Sequence, residues 1–579
     1  MRSCSSVPAR LRGVAAFALL AVLLAPSSTA WAQTGGEPVE PQTEEAFFET
    51  VDVTVVNVDV YVTDKKGNPV SGLTAEDFEV YEDNRRMKIS NFYAVQDGLQ
   101  VRTQQSAQGI PIERLEQAPE RPALERLPLA EDQRLHLVVY FDNLYLRPFN
   151  RNKAIDSVRR FLARNLGDDD QAMLVTFERS LNVRHPFTKD LGSFNRALDG
   201  LLKLSGFAVQ AASERHQVIK RIDGSDSAFE AQGFADFYAK QVYNDTGNSI
   251  DGLKEIVASL GGLPGRKALL YVSDGIPMTA GEDLFYLVDL KYQNSGQGGL
   301  QAARYRIERR FTELTSQANA NRVTFYTLGA TGLRSHASLS AEYGGSLDGT
   351  SYAEVDFLRQ SNETATLDKM ARDTGGISVH GTNNLDGALD TFSRDFRSFY
   401  SLGYQAAHGG DGRYYRIRVK TTRKDLEVRH RTGYRAKRAH TVVTEGTLAA
   451  LLYRREANPL EIRFEFETPQ QKEDKQYLVP LVVHIPIGKL SLVPLSELYN
   501  GRLKVTVAVI DEKGRLSPVD LQTVPVNIPK ADIAQAIGQD YVYAVELVMR
   551  AGAQEVAVGV HDEISSKTSY VRKRLRVGS

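Results

Sequence analysis

One cysteine and one tryptophan occur in 579 residues, and both, Cys4 and Trp31, fall within the first 32. Beyond that point the chain offers no disulfide, no thiolate metal site and no cysteine nucleophile. A charge excess of one sign is missing too. The formal net charge of −1, from 71 basic and 72 acidic side chains, argues against a nucleic-acid protein. Long apolar runs are also absent. The run from Val14 to Leu24 has 11 residues, whereas a bilayer-spanning helix takes about 20.

That short run belongs to a three-part pattern. Arg2, Arg10 and Arg12 precede it, and Ala30-Trp31-Ala32 forms a small-residue cleavage site before Gln33. The pattern predicts a signal peptide over 1–32 and an exported protein that is periplasmic, on the outer surface or extracellular. Cleavage takes the formal charge from −1 to −4, because the leader carries three arginines and no acid. No later stretch is long and apolar enough to be read as a transmembrane segment. A chain of this length needs several cores, about three or four.

Past a polar lead, Val56, Val58, Val60 and Val62 alternate with Asn57, Asp59, Tyr61 and Thr63, the period of a half-buried strand. A turn at Asp64 to Pro69 and further alternation in 78–81 and 89–95 predict an N-terminal immunoglobulin-like β domain over 47–101. Residues 102–133, rich in Gln, Glu, Arg and Pro, read as a linker. From 134 the pattern changes. Apolar strands at 137–141, 172–177, 268–272 and 323–328 alternate with helical stretches at 152–165, 193–204, 249–260, 305–320, 365–373 and 385–396, while 182–187 reads as an antiparallel edge strand. That alternation predicts a Rossmann-like α/β domain over 134–404, its mainly parallel sheet covered by helices.

Residues 405–440 read as a basic β-hairpin, with eleven Lys and Arg against Asp425 and Glu427 between Arg413 and Arg438. Such a face is either a solvated sheet surface or a patch for an anionic polymer, lipid head or acidic partner. A short helix at 445–455 opens a second all-β region, a C-terminal β-sandwich over 445–579. In it, Val505, Val507 and Val509 leading into Asp511-Glu512-Lys513-Gly514 echo Val58, Val60 and Val62 leading into Asp64-Lys65-Lys66-Gly67. Two immunoglobulin-like sandwiches of one design flanking the α/β domain would account for the echo, and so would common strand-and-turn chemistry.

Ligands of open parallel sheets sit beyond the carboxyl ends of the strands. Two strands end on aspartate there, in Tyr140-Phe141-Asp142 and Val272-Ser273-Asp274-Gly275. Paired carboxylates repel unless a cation or hydrogen-bond donors separate them, and a hard ion such as Mg2+ is one solution. The other is structural: both carboxylates cap loop and helix N–H groups.

At these residues the chain resembles a known family. The span 135–404 looks like a von Willebrand factor A domain and, more narrowly, the chain resembles the VWFA-related Acidobacterial domain family. The resemblance rests on Asp64-x-x-Gly67-x-Pro69-Val70-x-Gly72-Leu73, Asp77-Phe78, Asp142-Asn143-Leu144 with Arg147-Pro148, Arg184-His185-Pro186-Phe187, Gly265-Arg266-Lys267-Ala268, Ser273-Asp274-Gly275, Thr374-Gly375-Gly376, Phe399 to Tyr404 and Gly433-Tyr434. It implies a metal-ion-dependent adhesion site with Asp142 and Asp274 as ligands and Thr246 as the separate threonine, Asn248 or Ser249 being alternatives. The site is degenerate: Leu144 and Leu146 stand where the motif has serines, and leucine offers a cation no oxygen.

Three polar insertions, at 206–245, 277–300 and 331–362, read as long loops at the upper rim. Tyr286, Tyr292, Tyr343 and Tyr352 suit them to protein contacts. No nucleophile elbow, zinc helix or deaminase signature occurs. The expectation is a multidomain α/β plus β protein, a central von Willebrand A-like domain flanked by β-sandwich modules. It would be exported and non-enzymatic, binding a protein or surface polymer through its upper rim. A structural or assembly scaffold of the cell envelope, and a secreted hydrolase using Asp142 and Asp274 as a carboxylate pair, are the competing readings.

Overall fold

Residues 55–101, 126–127, 134–167, 170–293, 297–333, 349–406, 408–472, 476–517 and 519–578 are described by the computed structural model. The expected signal peptide at 1–32 and the start of the N-terminal module at 47 lie outside them, as does most of the expected linker. Mixed α/β structure is present, with several antiparallel sheets and one mainly parallel sheet. No helix among the described residues is long and apolar enough to cross a membrane.

The unbroken apolar runs become the parallel sheet. Its order is Ser378–Val379, Val323–Gly329, Arg266–Ser273, Leu135–Asp142 and Gln171–Phe177, with Leu181–Thr188 antiparallel at the edge. Successive side chains of a strand feed opposite faces. Leu137, Val139 and Phe141 join a core with helices Pro148–Asn165, Leu191–Leu201 and Leu385–Arg397. Val138 and Tyr140 join another, with helices Ala228–Ser259, Glu308–Ala320 and Gly349–Thr374. Asp190, Ser227 and Asn384 cap three of these helices through their side chains.

The β strands before and after this domain belong together. One sheet contains Val55–Thr63, Ile89–Gln96, Leu99–Val101, Arg126–Leu127, Phe399–Gln405 and Glu427–His430; a second contains Phe78–Glu82, Arg85–Met87, Tyr414–Thr421 and Gly433–Arg435. Val58, Val60, Val80, Leu402, Ile417 and Val419 fill the core they share. Two expected boundaries are thereby corrected. Residues 399–404 do not end the α/β domain, because their inward row, Tyr400, Leu402 and Tyr404, is buried against the N-terminal strands. Nor is 405–440 a separate hairpin, since Tyr414–Thr421 pairs with Phe78–Glu82. The α/β domain is inserted into a β unit whose halves are far apart in sequence.

The basic stretch divides between two environments. Arg413, Arg416, Arg418, Lys420, Arg423, Lys424, Arg435 and Arg438 are exposed, although Arg423 is held by Asp77. Arg429 and Arg431 turn inward: Arg429 grips both oxygens of Asp395 at 2.7 and 2.9 Å, and Arg431 donates to the carbonyls of Asn57 and Asn319. Half-buried Lys437 is held in the same way, by Asn321 Oδ1 and Glu445, each at 2.6 Å, so three of the eleven charges do not contribute to a surface patch.

Helix Ala439–Tyr453 leads to the C-terminal sheets, and Val479, Leu481, Val505, Val526, Val558 and Val560 fill the core between them. The sequence echo has a common turn beneath it. Asp64 Oδ1 accepts from the N–H groups of Lys66 and Asn68 at 2.8 and 2.9 Å, and Asp511 Oδ1 accepts from those of Lys513 and Arg515 at 2.9 Å. Gly67 and Gly514 follow with φ of 78° and 77°, the left-handed geometry that favours glycine.

The Asp395 carboxyl is buried, and burial raises its pKa despite Arg429. Removing the arginine leaves that group without its main compensation. Arg429→Ala is expected to cost roughly 3–5 kcal/mol in urea unfolding, and Asp395→Asn combined with Arg429→Met is expected to cost less than Arg429→Ala alone.

Candidate functional site

The carboxyl ends of the parallel strands bring Asp142 and Asp274 to the upper rim, as their positions in the sequence predict. Asp142 is fully buried. Its carboxylate accepts hydrogen bonds from the Tyr271 hydroxyl, from Ser249 Oγ at 3.1 Å and from the Leu144 N–H at 3.2 Å. Burial nevertheless pushes its pKa up to about 6, against the pull of those donors. The Asp142 carbonyl accepts from the N–H groups of Tyr145 and Leu146, so the strand ends in a tight turn. That turn drives Leu146 into the core at 0% exposure and lays Leu144 against the opposite one. Asn143 is fixed between Arg151, which donates to its Oδ1 at 2.6 Å, and the Ser205 carbonyl, which accepts from its Nδ2 at 2.9 Å.

Asp274 has a different task. Its oxygens accept from the Arg147 N–H at 3.0 Å and from Asn150 Nδ2 at 2.9 Å. Arg147 is the N-cap of helix Pro148–Asn165 and has no side-chain cap of its own. The carboxylate thus caps a helix that lies elsewhere in sequence, at the end where negative charge is favoured. Thr246 is not in a loop ahead of a helix. It lies inside helix Ala228–Ser259, which begins well before the expected 249, and its Oγ1 is 2.5 Å from the Tyr145 hydroxyl. Of the alternatives, Ser249 is the residue that meets Asp142.

This donor set does not fit a divalent cation. Hydroxyl and N–H groups point at the oxygens a metal would use, the two serine positions are leucines, and Leu146 faces away into the core. Hydrogen-bond donors are the compensation for these two carboxylates. Asp142 is sealed from solvent, and Asp274 is 7% exposed.

Where they are described, the three insertions are largely helical and not loops. They contribute helices Phe207–Gly224, Ala228–Ser259, Glu282–Tyr292, Gln297–Ala302 and Gly349–Thr374. These share a core of Ile219, Ala231, Ala235, Leu284, Phe285 and Val355 and form a helical cap. Its tyrosines serve the cap itself: Tyr352 bonds Asp223, Tyr292 bonds Ser225 and Tyr286 bonds Glu354. Tyr343 lies outside the described residues. Between cap and rim is a cleft of about 510 Å³, with Tyr145, Arg147 and Asp274 on the rim side and Phe207, Ala211 and Tyr238 on the cap side. Two of its charged pairs are already closed, Arg215 with Asp283 and Arg359 with Glu363. Asp245, also in its wall, has its pKa raised by burial.

Sequence reasoning missed Tyr271, Asn150 and the cap helices. Tyr271 carried a signal, since it lies three residues before Asp274 on the strand next to Asp142 and pairs in register with Tyr140.

No family model matches the chain, and no curated relative matches it. Among solved structures it is similar to a von Willebrand factor type A protein from Catenulispora acidiphila, at 9% identity over 86% of this chain and 75% of that one, TM-score 0.22. It is also similar to the conserved hypothetical protein BatB from Bacteroides thetaiotaomicron, at 13% identity over 45% of this chain and 96% of that one, TM-score 0.23. A third is an aerotolerance-related membrane protein from Bacteroides fragilis, at 12% identity over 45% and 98%, TM-score 0.21. Scores this low carry no argument about function.

The raised pKa of Asp142 gives a pH prediction. Its protonated form favours the folded state, so its contribution is complete below the ordinary aspartate value of 3.8 and is lost as pH rises through about 6. Relative to Asp142→Asn, the wild type is expected to lose roughly 2–3 kcal/mol between pH 4 and pH 7, measured by urea unfolding at both values. Magnesium is expected to leave the melting midpoint of the wild type unchanged, because its ligand positions are filled by donors.

Proposed function

We propose that this chain is an exported, non-enzymatic binding protein of von Willebrand A type, whose ligand enters the cleft between the upper rim and the helical cap. The observation that carries the reading is the contrast between the two parts of the rim. The carboxylates are satisfied internally, whereas the neighbouring cleft is open and has the size of a ligand site. Recognition by a metal-completed carboxylate has no support in this donor set; recognition by the cleft walls does. Aromatic rings at Tyr145, Phe207 and Tyr238 offer contact area, and Arg147, Arg179 and Asp245 offer charge of both signs. Such walls suit a short segment of a protein or of a surface polymer. The export component rests on the three-part leader at 1–32.

The scaffold alternative draws on one observation, that strands from before and after the α/β domain pair with each other and so close the β unit at both ends of the insertion.

Filling the cleft tests the binding reading. Ala211 is exposed and lines the cleft on the cap side. In affinity capture from a cell-envelope extract, Ala211→Trp is expected to lose the species that the wild type retains, at an unchanged melting midpoint. Equal recovery by both chains would put the binding surface elsewhere.

A further inference from the structure

The two sheets of the C-terminal unit are closed unequally. On strand Gln476–Pro486 the inward row Val479, Leu481, Val483 and Ile485 is 0% exposed. The adjacent strand, Asp540–Arg550, places Leu547, Val545, Tyr543 and Tyr541 opposite these residues on the same face. Those four are only half-buried. The cause is topological: among the described residues, Asp540–Arg550 pairs only with Gln476–Pro486, so it is the edge of its sheet. Beside it a groove of about 500 Å³ separates the sheets, lined by Val505, Val507, Val509, Tyr543, Val545 and Leu547. On the outer face of the same strand, Val542 and Val548 are 54% and 59% exposed.

Edge strands are normally guarded against further pairing by lysine, proline, a bulge or shortness. This one is 11 residues long, reads Asp-Tyr-Val-Tyr-Ala-Val-Glu-Leu-Val-Met-Arg, and keeps an unbroken register with its neighbour. It contains no lysine, proline or glycine.

We propose that a second copy of this chain occupies that edge, with Asp540–Arg550 pairing antiparallel to the same strand of the other copy about a twofold axis at Val545. The strand is self-complementary in this register. With Val545 opposite itself, Asp540 faces Arg550 at both ends, and Val542 faces Val548 twice on the exposed surface. Tyr543 then faces Leu547, and Tyr541 faces Met549, on the groove side. A shift by two residues would place Val542 against Arg550 and Val548 against Ala544, losing both the charge match and the valine pairs. Within its own chain Asp540 already bonds Arg463, so its carboxylate would lie between two arginines. The inward row of the second copy covers the groove that the first leaves open, which accounts for the half-buried side chains. The contact is isologous and closes, so it stops at a dimer.

Sedimentation of the full chain tests the proposal. The wild type is expected to dimerise, and Val542→Lys combined with Val548→Lys to raise the dissociation constant by more than about tenfold, because lysines then face lysines across the axis. Both valines are exposed, so circular dichroism and the melting of the monomer should be unaltered. The register is tested separately, in a Cys4→Ser background. Val545→Cys is expected to cross-link between copies through a short bis-maleimide, and Val548→Cys to cross-link far less. A monomeric wild type, or a dimer that survives the two lysines, would overturn the proposal; a dimer sensitive to the lysines but not cross-linked through residue 545 would overturn the register.

Discussion

A single buried guanidinium holds the amino-end side of this structure together. Arg266 opens a central strand, and its side chain donates to the carbonyls of Asp395 and Phe396 at 3.1 and 3.2 Å and to the Tyr61 hydroxyl at 3.2 Å, while its Cζ lies 3.7 Å from the centre of the Phe399 ring. The two carbonyls end helix Leu385–Arg397, where unpaired C=O groups and the helix dipole both favour a cation. Tyr61 belongs to the N-terminal β strand, and Phe399 opens the strand that returns to it. One side chain thus fixes where the α/β insertion leaves the β unit and where it comes back. The neighbouring Arg429–Asp395 pair adds direction more than net stability, since burial still disfavours the charged carboxyl.

The same physical demand, that a buried charge find donors or a counter-charge, shapes the opposite end of the sheet. Asp142 and Asp274 stand at neighbouring strand ends, and each could be compensated by a shared cation or by separate donors. Here the donors come from the turn after Asp142, from Tyr271 and Ser249, and from the start of helix Pro148–Asn165. This solution ties the rim to two helices and a neighbouring strand. It fixes the rim's shape without leaving a vacant coordination position for a ligand to complete.

Much of the fold was legible where side-chain period and burial agree. The apolar runs of the parallel sheet and the antiparallel edge at 182–187 follow directly from pattern. Only the end of the long helix Ala228–Ser259 was legible, from 249 on; the part before it was not, because the residues it buries toward the cap include Ala231, Ala235 and Ala239, a stripe too small and too interspersed with polar residues to register as apolar. The role of Phe399–Gln405 escaped for a different reason: its partners lie across the whole inserted domain, and local period carries no information on pairing. Arg429 and Arg431 show that charge in a sequence does not tell inside from outside. Their neighbours Arg416 and Arg418 are solvated, and the difference lies in strand pairing, Tyr414–Thr421 with Phe78–Glu82 but Glu427–His430 with Val55–Thr63 in the other sheet. At the rim, Asp142 and Asp274 were legible as strand ends, and so was their capping of loop and helix N–H groups; their side-chain donors Tyr271 and Asn150 were not, since these lie outside any motif.

The cap changes what kind of ligand the proposed reading admits. An exposed rim suits a broad, folded surface, which needs on the order of 800 Å² on each partner. A cleft of about 510 Å³ between rim and cap is instead on the scale of a small ligand or a few side chains. A protein partner would therefore have to present a loop or terminus, and a polymer a short run of units. Within the cleft, the closed pairs Arg215–Asp283 and Arg359–Glu363 spend their charge on each other. Burial keeps the pKa of Asp245 raised in the wall, against the opposing charge of Arg179. Selectivity in such a site comes from the cost of leaving that carboxyl desolvated without a partner, more than from the number of contacts a ligand can make.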